Sequence, residues 1–139
     1  MKAISLLQPW ASLVVMGVKQ WETRSWSTAY RGELLIHASK GKKGAALSQD
    51  PPFSTYIPDF STLPFGSIIG QVLLMDVIRV EAFLATPALM ESMTLEERAF
   101  GNYEKGRWCW ILGNPLIFRK PIPVNGALSL WEYSGPLPV

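Results

Sequence analysis

The longest apolar run of the chain, residues 67–83, constrains its fold more than any other segment. The run is rich in β-branched residues, which favour strands. Gly70 interrupts it, and a glycine inside a strand is typical of a bulge or of a close approach by other backbone. We therefore predict one bent strand, or two strands, through the centre of a sheet or barrel. Asp76 within the run is expected at the mouth of the core or paired with a cation.

Shorter periodic segments surround this run. Pro9 is compatible with a first helical turn, and the apolar stripe that follows it ends at Gly17, so a short helix is predicted between them. Thr94 and Glu97 form a capping-box pattern, which predicts a second helix running to about Phe100. Further strands are predicted over residues 3–7, 33–38, 107–112, 115–122 and 127–133, with turns at 113–115 and 125–126.

Composition restricts the class of protein. The 139 residues suit one domain, 1–139, and 48% hydrophobic against 17% charged residues indicates a globular chain. The lone Cys109 excludes an internal disulfide or a multi-cysteine metal site and favours a reducing compartment. No signal peptide or membrane-spanning run is evident, so we predict a cytoplasmic protein. We also predict that it binds no metal or cofactor. About six strands and two or three short helices predict an α+β fold, a small mixed β-barrel with helices covering its ends.

Positive charge is concentrated in the first third of the chain. The formal net charge is only +2, yet residues 1–48 hold seven Lys or Arg residues against two Glu residues. The remaining residues carry a net negative charge. An excess of cations in one region favours a polyanionic partner such as a nucleic acid. Chance distribution of surface charge is the alternative.

Residues 17–26 lie within this basic region and contain three charged side chains and two tryptophans. Side chains alternate along a strand, so Glu22, Arg24 and Trp26 would share one face, while Lys19 would point the other way. That face combines a hydrogen-bond acceptor, a forked donor and a stacking surface, which suits a ligand site. An ordinary edge strand with an exposed ion pair is the alternative.

A basic segment follows the predicted strand 33–38, which contains the only histidine, His37. Histidine titrates near neutrality, so His37 is a candidate general acid or base or a phosphate ligand. A satisfied, partly buried histidine is the alternative. Lys40 and Lys42 flank or begin a short helix predicted within residues 41–49, whose N-terminus would attract a phosphate.

Residues 51–66 contain four prolines and four aromatic residues, which predicts a long ordered loop pinned by its rings. Loops of this length are usually functional or mobile. One function for it would be to dock a protein partner.

Three motifs resemble the ASCH family (activating signal cointegrator homology domain). They are S-L-L-Q-P-W-A-S-L at residues 5–13, G-x-K-x-x-E-x-R-x-W at 17–26 and Y-R-G-E-L-L-I-H-A at 30–38. The W-C-W segment at 108–110 is similar to a late strand of the family, so the resemblance covers nearly the whole chain except 41–66. It implies a PUA-like β-barrel that binds RNA or another nucleic acid in a cleft beside the first helix.

The resemblance also implies two enzymatic alternatives. One branch of ASCH-like proteins hydrolyses N4-acylated cytidine amides with a lysine, a threonine and a glutamate, and other members cleave single-stranded RNA. Lys19 matches that lysine, whereas Glu22 stands where that branch has the threonine. The chain is more similar to the cointegrator-type domains. An enzyme would use Lys19 and Glu22 as base and electrostatic stabiliser, with His37 as proton shuttle.

The leading hypothesis is binding of single-stranded RNA without chemistry. Cations would neutralise phosphates and aromatic rings would stack on unpaired bases. The predicted contacts are Lys19, Arg24, Trp26, Arg31, Lys40 and Lys42. The alternative partners are a modified nucleoside, for the enzyme, and a protein docked on loop 51–66.

Overall fold

The computed structural model describes residues 1–138 and arranges six strands in one sheet. The strands are β1 (Lys2–Leu6), β2 (Trp21–Arg24), β3 (Gly32–Ala38), β4 (Ser67–Arg79), β5 (Trp108–Pro123) and β6 (Leu130–Glu132). Their order across the sheet is β2-β5-β4-β3-β1-β6, and β1 and β3 pair in parallel. Within the described residues β2 and β6 are edges, so the hydrogen-bonded sheet curls without closing on itself.

Five short helices connect the strands. They are α1 (Trp10–Val15), α2 (Phe53–Tyr56), α3 (Val80–Leu84), α4 (Pro87–Ser92) and α5 (Leu95–Phe100). The α+β class and the six strands agree with the prediction, whereas the helices outnumber the two or three predicted. Across residues 1–138, no helix combines the length and apolarity that crossing a membrane requires.

The central strand β4 is shorter than the apolar run that predicted it. It ends at Arg79, and residues 80–84 form α3 instead of continuing the strand. Val80 and Phe83 are fully buried in one apolar cluster. Their spacing of three residues puts them on one face of a helix, whereas a strand would send them to opposite faces. Asp76 is exposed and pairs with Arg31 at 3.2 Å, which agrees with the second of the two environments expected for it.

Strand β5 runs without a break through residues 113–115, where a turn was predicted. Gly113 pairs with Leu73 of β4, and the ladder resumes with Leu116 opposite Gln71. The register shift between these pairs accommodates Asn114, which has a φ of 46°. Because β4 is long enough to pair on both sides of the shift, the Gly-Asn-Pro sequence bends the strand and does not reverse it.

Helix α1 packs across the sheet at a point where the sheet has no side chain. A Cβ at Gly70 would lie 2.2 Å from the Leu116 carbonyl oxygen and 2.8 Å from Val15 Cγ1. Only glycine fits there, which confirms the close approach predicted from the sequence. Gly17, with a φ of 78°, ends α1 in the left-handed conformation predicted for it.

The segment between β3 and β4 covers one side of α1. Residues 41–49 form turns and one short 3₁₀ helix (Leu47–Gln49), so the short helix predicted within this range is present in 3₁₀ form. Loop 51–66 is pinned by its rings as predicted, because Phe53 is buried and lies edge-on to Phe100 with centroids 5.1 Å apart. None of the four aromatic side chains of the loop is exposed. Docking of a protein partner on this loop stays a prediction.

Candidate functional site

A cleft of about 300 Å³ opens where β2, the start of α1 and the end of α5 meet. The residues that line it include Leu7, Trp10, Glu22, Arg24, Asn102 and Arg107. The indole of Trp10 is held in place by its Nε1, which donates to the carbonyl of Phe100 at 2.7 Å. Trp10 is half-buried and forms a wall of the cleft as well as packing against the core.

Three side chains of residues 17–26 share one face, as the strand alternation predicted. A guanidinium nitrogen of Arg24 lies 3.6 Å from Glu22 Oε2. The central carbon of the same guanidinium group lies 5.9 Å from the ring centroid of Trp26, and the Trp26 ring packs edge-on against Trp110. Arg24 is thus fixed between a carboxylate and an indole while about a third of its side chain stays exposed. Its remaining donors face solvent at the cleft.

Lys19 lies beneath this face and does not reach solvent. Its side chain is fully buried, and its Nζ donates to the carbonyl of Trp21 and lies 3.5 Å from Glu22 Oε1. A buried ammonium of this kind cannot contact a phosphate directly. In this arrangement Lys19 serves as a counter-charge that positions Glu22, which is a correction to the direct phosphate contact predicted for it.

Glu97 of α5 is a second buried carboxylate at this place, and the sequence pattern assigned it a different partner. Thr94 caps α5 by accepting from the Glu97 backbone N–H at 3.0 Å, as predicted. The Glu97 carboxylate, however, accepts from the backbone N–H groups of Gln20 and Trp21 at 3.0 and 3.4 Å. Burial raises the pKa of Glu97, and the hydrogen bonds and the charge of Lys19 oppose this shift. We refer to Lys19, Glu22 and Glu97 as the ionic cluster.

Two polar atoms beside the cleft have no hydrogen-bond partner among residues 1–138. They are Arg107 Nε and the Tyr103 hydroxyl. Arg107 also donates to the Thr23 carbonyl at 3.1 Å, which orients its guanidinium along the cleft wall. Buried polar atoms without partners are rare and call for an explanation. Both atoms are buried, so neither faces the open space of the cleft.

The buried groups near the cleft include no nucleophile that is active at neutral pH. Burial raises the pKa of the Cys109 thiol to about 12, and it raises the pKa of Tyr103 well above its usual value. The hydroxyl of Thr23 accepts from the backbone N–H of Asn102 at 3.0 Å. The cleft walls therefore offer hydrogen-bond donors, a carboxylate acceptor and an aromatic ring.

His37 does not join this site. It is 2% exposed and lies in the part of β3 that pairs with β1. Its Nε2 bonds to the carbonyl of Val124 at 2.7 Å, and its Nδ1 lies 3.0 Å from the Ser5 hydroxyl. A carbonyl can only accept, so Nε2 carries the proton and Nδ1 accepts from Ser5. Trp131 Nε1 donates to the same Ser5 oxygen at 3.2 Å.

This histidine network, defined as Ser5, His37 and Trp131, leaves no ring nitrogen free. Desolvation by burial lowers the pKa of His37, although the bond to Val124 acts in the opposite direction. The ring is therefore neutral near pH 7. The predicted role of His37 as proton shuttle for Lys19 and Glu22 is not supported by this geometry, because His37 is absent from the walls of the cleft.

The other predicted cations do not line the cleft either. Arg31 pairs with Asp76 and donates to the carbonyls of Thr28 and Tyr30, both at 2.8 Å. Lys40 and Lys42 are exposed, and they follow β3. Of the predicted contacts, the cleft therefore brings together Glu22 and Arg24, with Lys19 below them and Trp26 beside them. Arg107 was not predicted as a cleft residue. The alternating strand pattern of residues 107–112 indicates which side chains share a face, but not what they contact.

Comparison with known proteins identifies the family of the chain. A family model described as the ASCH domain matches residues 4–122. Activating signal cointegrator 1 of Mus musculus is 36% identical over 136 residues, which cover 93% of this chain and 22% of that protein. The same protein of Homo sapiens is 36% identical over 137 residues, with the same shares. The chain thus spans about a fifth of the length of these relatives, and its predicted likeness to cointegrator-type domains is confirmed.

Solved structures show the same fold. The ASCH protein of Zymomonas mobilis matches with a TM-score of 0.51 at 18% identity, over 87% of this chain and 71% of that chain. A serine-to-alanine variant of that protein matches with a TM-score of 0.53 at 18% identity, over 88% and 73% of the two chains. At this identity the likeness shows the fold alone. From the family model and the cointegrator relatives together, we conclude that the chain belongs to the ASCH domain family.

Proposed function

We propose that this domain binds single-stranded RNA by taking one unpaired base into the cleft between β2, α1 and α5. The ASCH domain has a PUA-like fold, which is associated with RNA binding. The observation that carries the proposal is the arrangement of the cleft walls. The side chains that line one space of about 300 Å³ include an indole, a carboxylate and two arginines.

Each wall has a physical role in this proposal. Trp10 and Leu7 supply apolar surface for a base, and Glu22 accepts from an exocyclic amine or ring N–H. Arg107, oriented by its bond to the Thr23 carbonyl, adds a second cationic side chain to the wall. Arg24, oriented by Glu22 and stacked on Trp26, presents its outer donors to the adjoining phosphate, where a guanidinium fork binds two oxygens.

Binding can be measured by fluorescence anisotropy with a labelled octauridylate at rising salt. The affinity is expected to fall with salt, because phosphate contacts release counterions. Arg24→Ala is expected to weaken binding about ten-fold at low salt, since it removes a charge-assisted contact. Arg119→Ala is the matched control, because Arg119 is an exposed arginine of β5 outside the cleft. Equal affinities of the two variants would exclude the cleft as the RNA site.

A second candidate function, hydrolysis, is favoured by the contact of Glu22 with both Lys19 and Arg24. A carboxylate held on the cleft wall by two cations could take a proton from an attacking water molecule. The substrate would be RNA or an N4-acylated cytidine amide. In this mechanism Lys19 is a positioning residue, since its buried Nζ cannot touch the substrate.

The two functions are separated by product formation. The protein is incubated with N4-acetylcytidine and, separately, with end-labelled single-stranded RNA, and products are resolved by chromatography. Turnover that Glu22→Gln abolishes would establish hydrolysis. Tight RNA binding without product would leave the domain as a binding module.

A further inference from the structure

A second concave surface, of about 520 Å³, lies at the end of β3 away from the walls of the cleft. We call it the second concavity. Ser5 and His37 of the histidine network line it, together with residues that include Ser39, Lys40, Asn125 and Leu128. No acidic residue lines it, whereas the cleft contains Glu22. Its volume is within the range of sites that hold a small organic group.

The two depressions are neighbours, separated by one narrow ridge. Leu7 lines the cleft, and a Cβ at Gly41 would lie 2.7 Å from Leu7 Cδ2, so the backbone at Gly41 packs directly on that leucine. The preceding residue, Lys40, lines the second concavity. Residues 40–43 thus form the ridge, and it carries three exposed lysines.

Two of the ridge lysines, Lys40 and Lys42, contact neighbouring residues but form no ion pair. A Cβ at Gly66 would meet three carbons of the Lys40 side chain within 3.0–3.7 Å, so that side chain lies along Gly66. The Lys42 ammonium lies 5.1 Å from the ring centroid of Phe65. Within residues 1–138 neither lysine has a carboxylate partner, in contrast to Lys2, Lys19, Arg24 and Arg31.

One wall of the second concavity is Leu128, an apolar side chain that is exposed to solvent. Leu128 is 93% exposed, and the next residue, Ser129, has a φ of 58°. A serine in the left-handed region costs about 1 kcal/mol, and such conformations cluster at functional sites. The exposed Asn125 adds an amide that can both donate and accept hydrogen bonds. A flat, partly polar group with a donor and an acceptor edge fits between these two side chains.

We propose that the second concavity holds a second base of the same single strand, and that the phosphate between the two bases lies on Lys40 and Lys42. This inference rests on the proposed function, because the first base occupies the cleft. In this arrangement one ligand, two bases joined by a phosphate, explains three observations. The phosphate explains the lysines without ion pairs and the lack of acidic residues, and the second base explains the exposed leucine. It defines the minimal ligand as a dinucleotide.

The test compares ligands of increasing length on the full chain. Uridine monophosphate and oligouridylates of two, four and eight nucleotides compete with a labelled octauridylate at low salt. Leu128→Asp is expected to leave the affinity for the mononucleotide unchanged and to weaken the tetranucleotide about ten-fold, because one stacked base is lost. Leu95→Asp is the matched control, since Leu95 is 90% exposed and lies outside both depressions.

A lysine pair gives a second, independent readout. Replacing Lys40 and Lys42 by alanine is expected to reduce the slope of log affinity against log salt by about 0.7 for each lysine that contacts a phosphate. The control pair, Lys105→Ala with Lys120→Ala, removes two exposed lysines elsewhere and should leave the slope unchanged.

The outcomes separate the two proposals. If Leu128→Asp and Leu95→Asp bind the tetranucleotide equally while Arg24→Ala is weakened, the second concavity is not a subsite and the cleft stands. If Leu128→Asp weakens the mononucleotide as much as the tetranucleotide, the second concavity does not act as a separate subsite, and the inference is again wrong. If no ligand binds and Arg24→Ala has no effect, the proposed function itself fails.

Discussion

The molecule buries two polar groups of similar size, and they are built in opposite ways. The ionic cluster of Lys19, Glu22 and Glu97 is charged and borders the cleft, beside two polar atoms without partners. The histidine network is neutral. Each polar side-chain atom of Ser5, His37 and Trp131 has a partner of matching donor or acceptor character. Charge and unmet hydrogen bonding therefore coincide on one side of the sheet.

This contrast shows why the only histidine is a poor guide to the site. A residue that titrates near neutrality is a reasonable catalytic candidate, but a ring with both nitrogens occupied has no capacity left for a ligand. Glu22, in contrast, has cations on both sides and still faces open space. Remaining hydrogen-bonding capacity distinguishes the two groups better than residue type does.

The largest expected effect breaks the charged group. Lys19→Met removes the buried cation beside Glu22 and Glu97 and leaves Glu22 paired with Arg24 alone. Loss of one partner from a buried pair costs about 3–5 kcal/mol. The free energy of unfolding, measured by urea denaturation, should fall by that amount. Lys2→Met removes a lysine from an exposed pair with Glu132 and should cost less than about 1 kcal/mol. Similar losses in the two variants would contradict a buried ionic cluster.

A smaller effect is expected from Glu97→Gln. The amide keeps one acceptor for the backbone N–H groups of Gln20 and Trp21 but places an NH₂ group against the other, so the fold should lose about 1–3 kcal/mol of unfolding free energy. Glu96→Gln on the same helix is the control, because Glu96 is exposed. Unchanged stability of Glu97→Gln in urea would show that the carboxylate is not needed to hold β2.

The two groups should respond to acid with opposite signs. The lowered pKa of His37 means that the folded state binds its proton less readily than the unfolded state, so its contribution to stability is lost as the pH falls below 6.5. The raised pKa of Glu97 means the reverse, so its contribution declines as the pH rises above 4.5 towards the folded pKa. Each slope is at most about 1.4 kcal/mol per pH unit, since one proton is involved.

Difference curves isolate these contributions. Unfolding free energies of the wild-type chain, His37→Gln and Glu97→Gln are measured from pH 4.5 to 8. Wild type minus His37→Gln should rise with pH, and wild type minus Glu97→Gln should fall. Two curves with the same sign would show that one of the two groups is assigned the wrong environment.

The smallest effect tests the satisfied network. Trp131→Phe removes the donor to the Ser5 oxygen but keeps an aromatic ring edge-on to His37, which now lies 5.5 Å from the Trp131 centroid. The remaining Ser5 to His37 bond is untouched, so the loss should be about 1 kcal/mol, the net value of one hydrogen bond. A loss as large as that of Lys19→Met would mean that the network is as tightly coupled as the charged group.

Local patterns in the sequence predicted what depends on near neighbours. The stripe ending at Gly17 and the shared face of Glu22, Arg24 and Trp26 follow from helix and strand periodicity, and both are observed. Gly70 signalled a close approach because no other residue would fit under α1. The family motifs lie in these same segments, so the position of the cleft was also within reach.

Long-range partners could not be predicted in this way. Glu97 has the spacing of a capping box, yet its carboxylate binds backbone 76 and 77 residues away in sequence. The hydrogen-bond partners of His37 are Ser5 and Val124, which the chain brings to it only through the pairing of β1 with β3 and the return of β5. The turn predicted at 113–115 is wrong, because β4 is long enough to pair with β5 on both sides of these residues. The length of the opposite strand is not evident from the local sequence.

The contact between Glu97 and β2 also bears on how the protein avoids self-association. β2 is an edge of the sheet, and an edge strand with free N–H groups is a template on which a second chain can add a strand and begin a fibril. The carboxylate of α5 occupies the backbone N–H groups at the entrance to this strand. Helix α5 therefore blocks part of the edge of β2 from pairing with another chain. Displacement of α5 by a ligand or a mutation would free these N–H groups for such pairing.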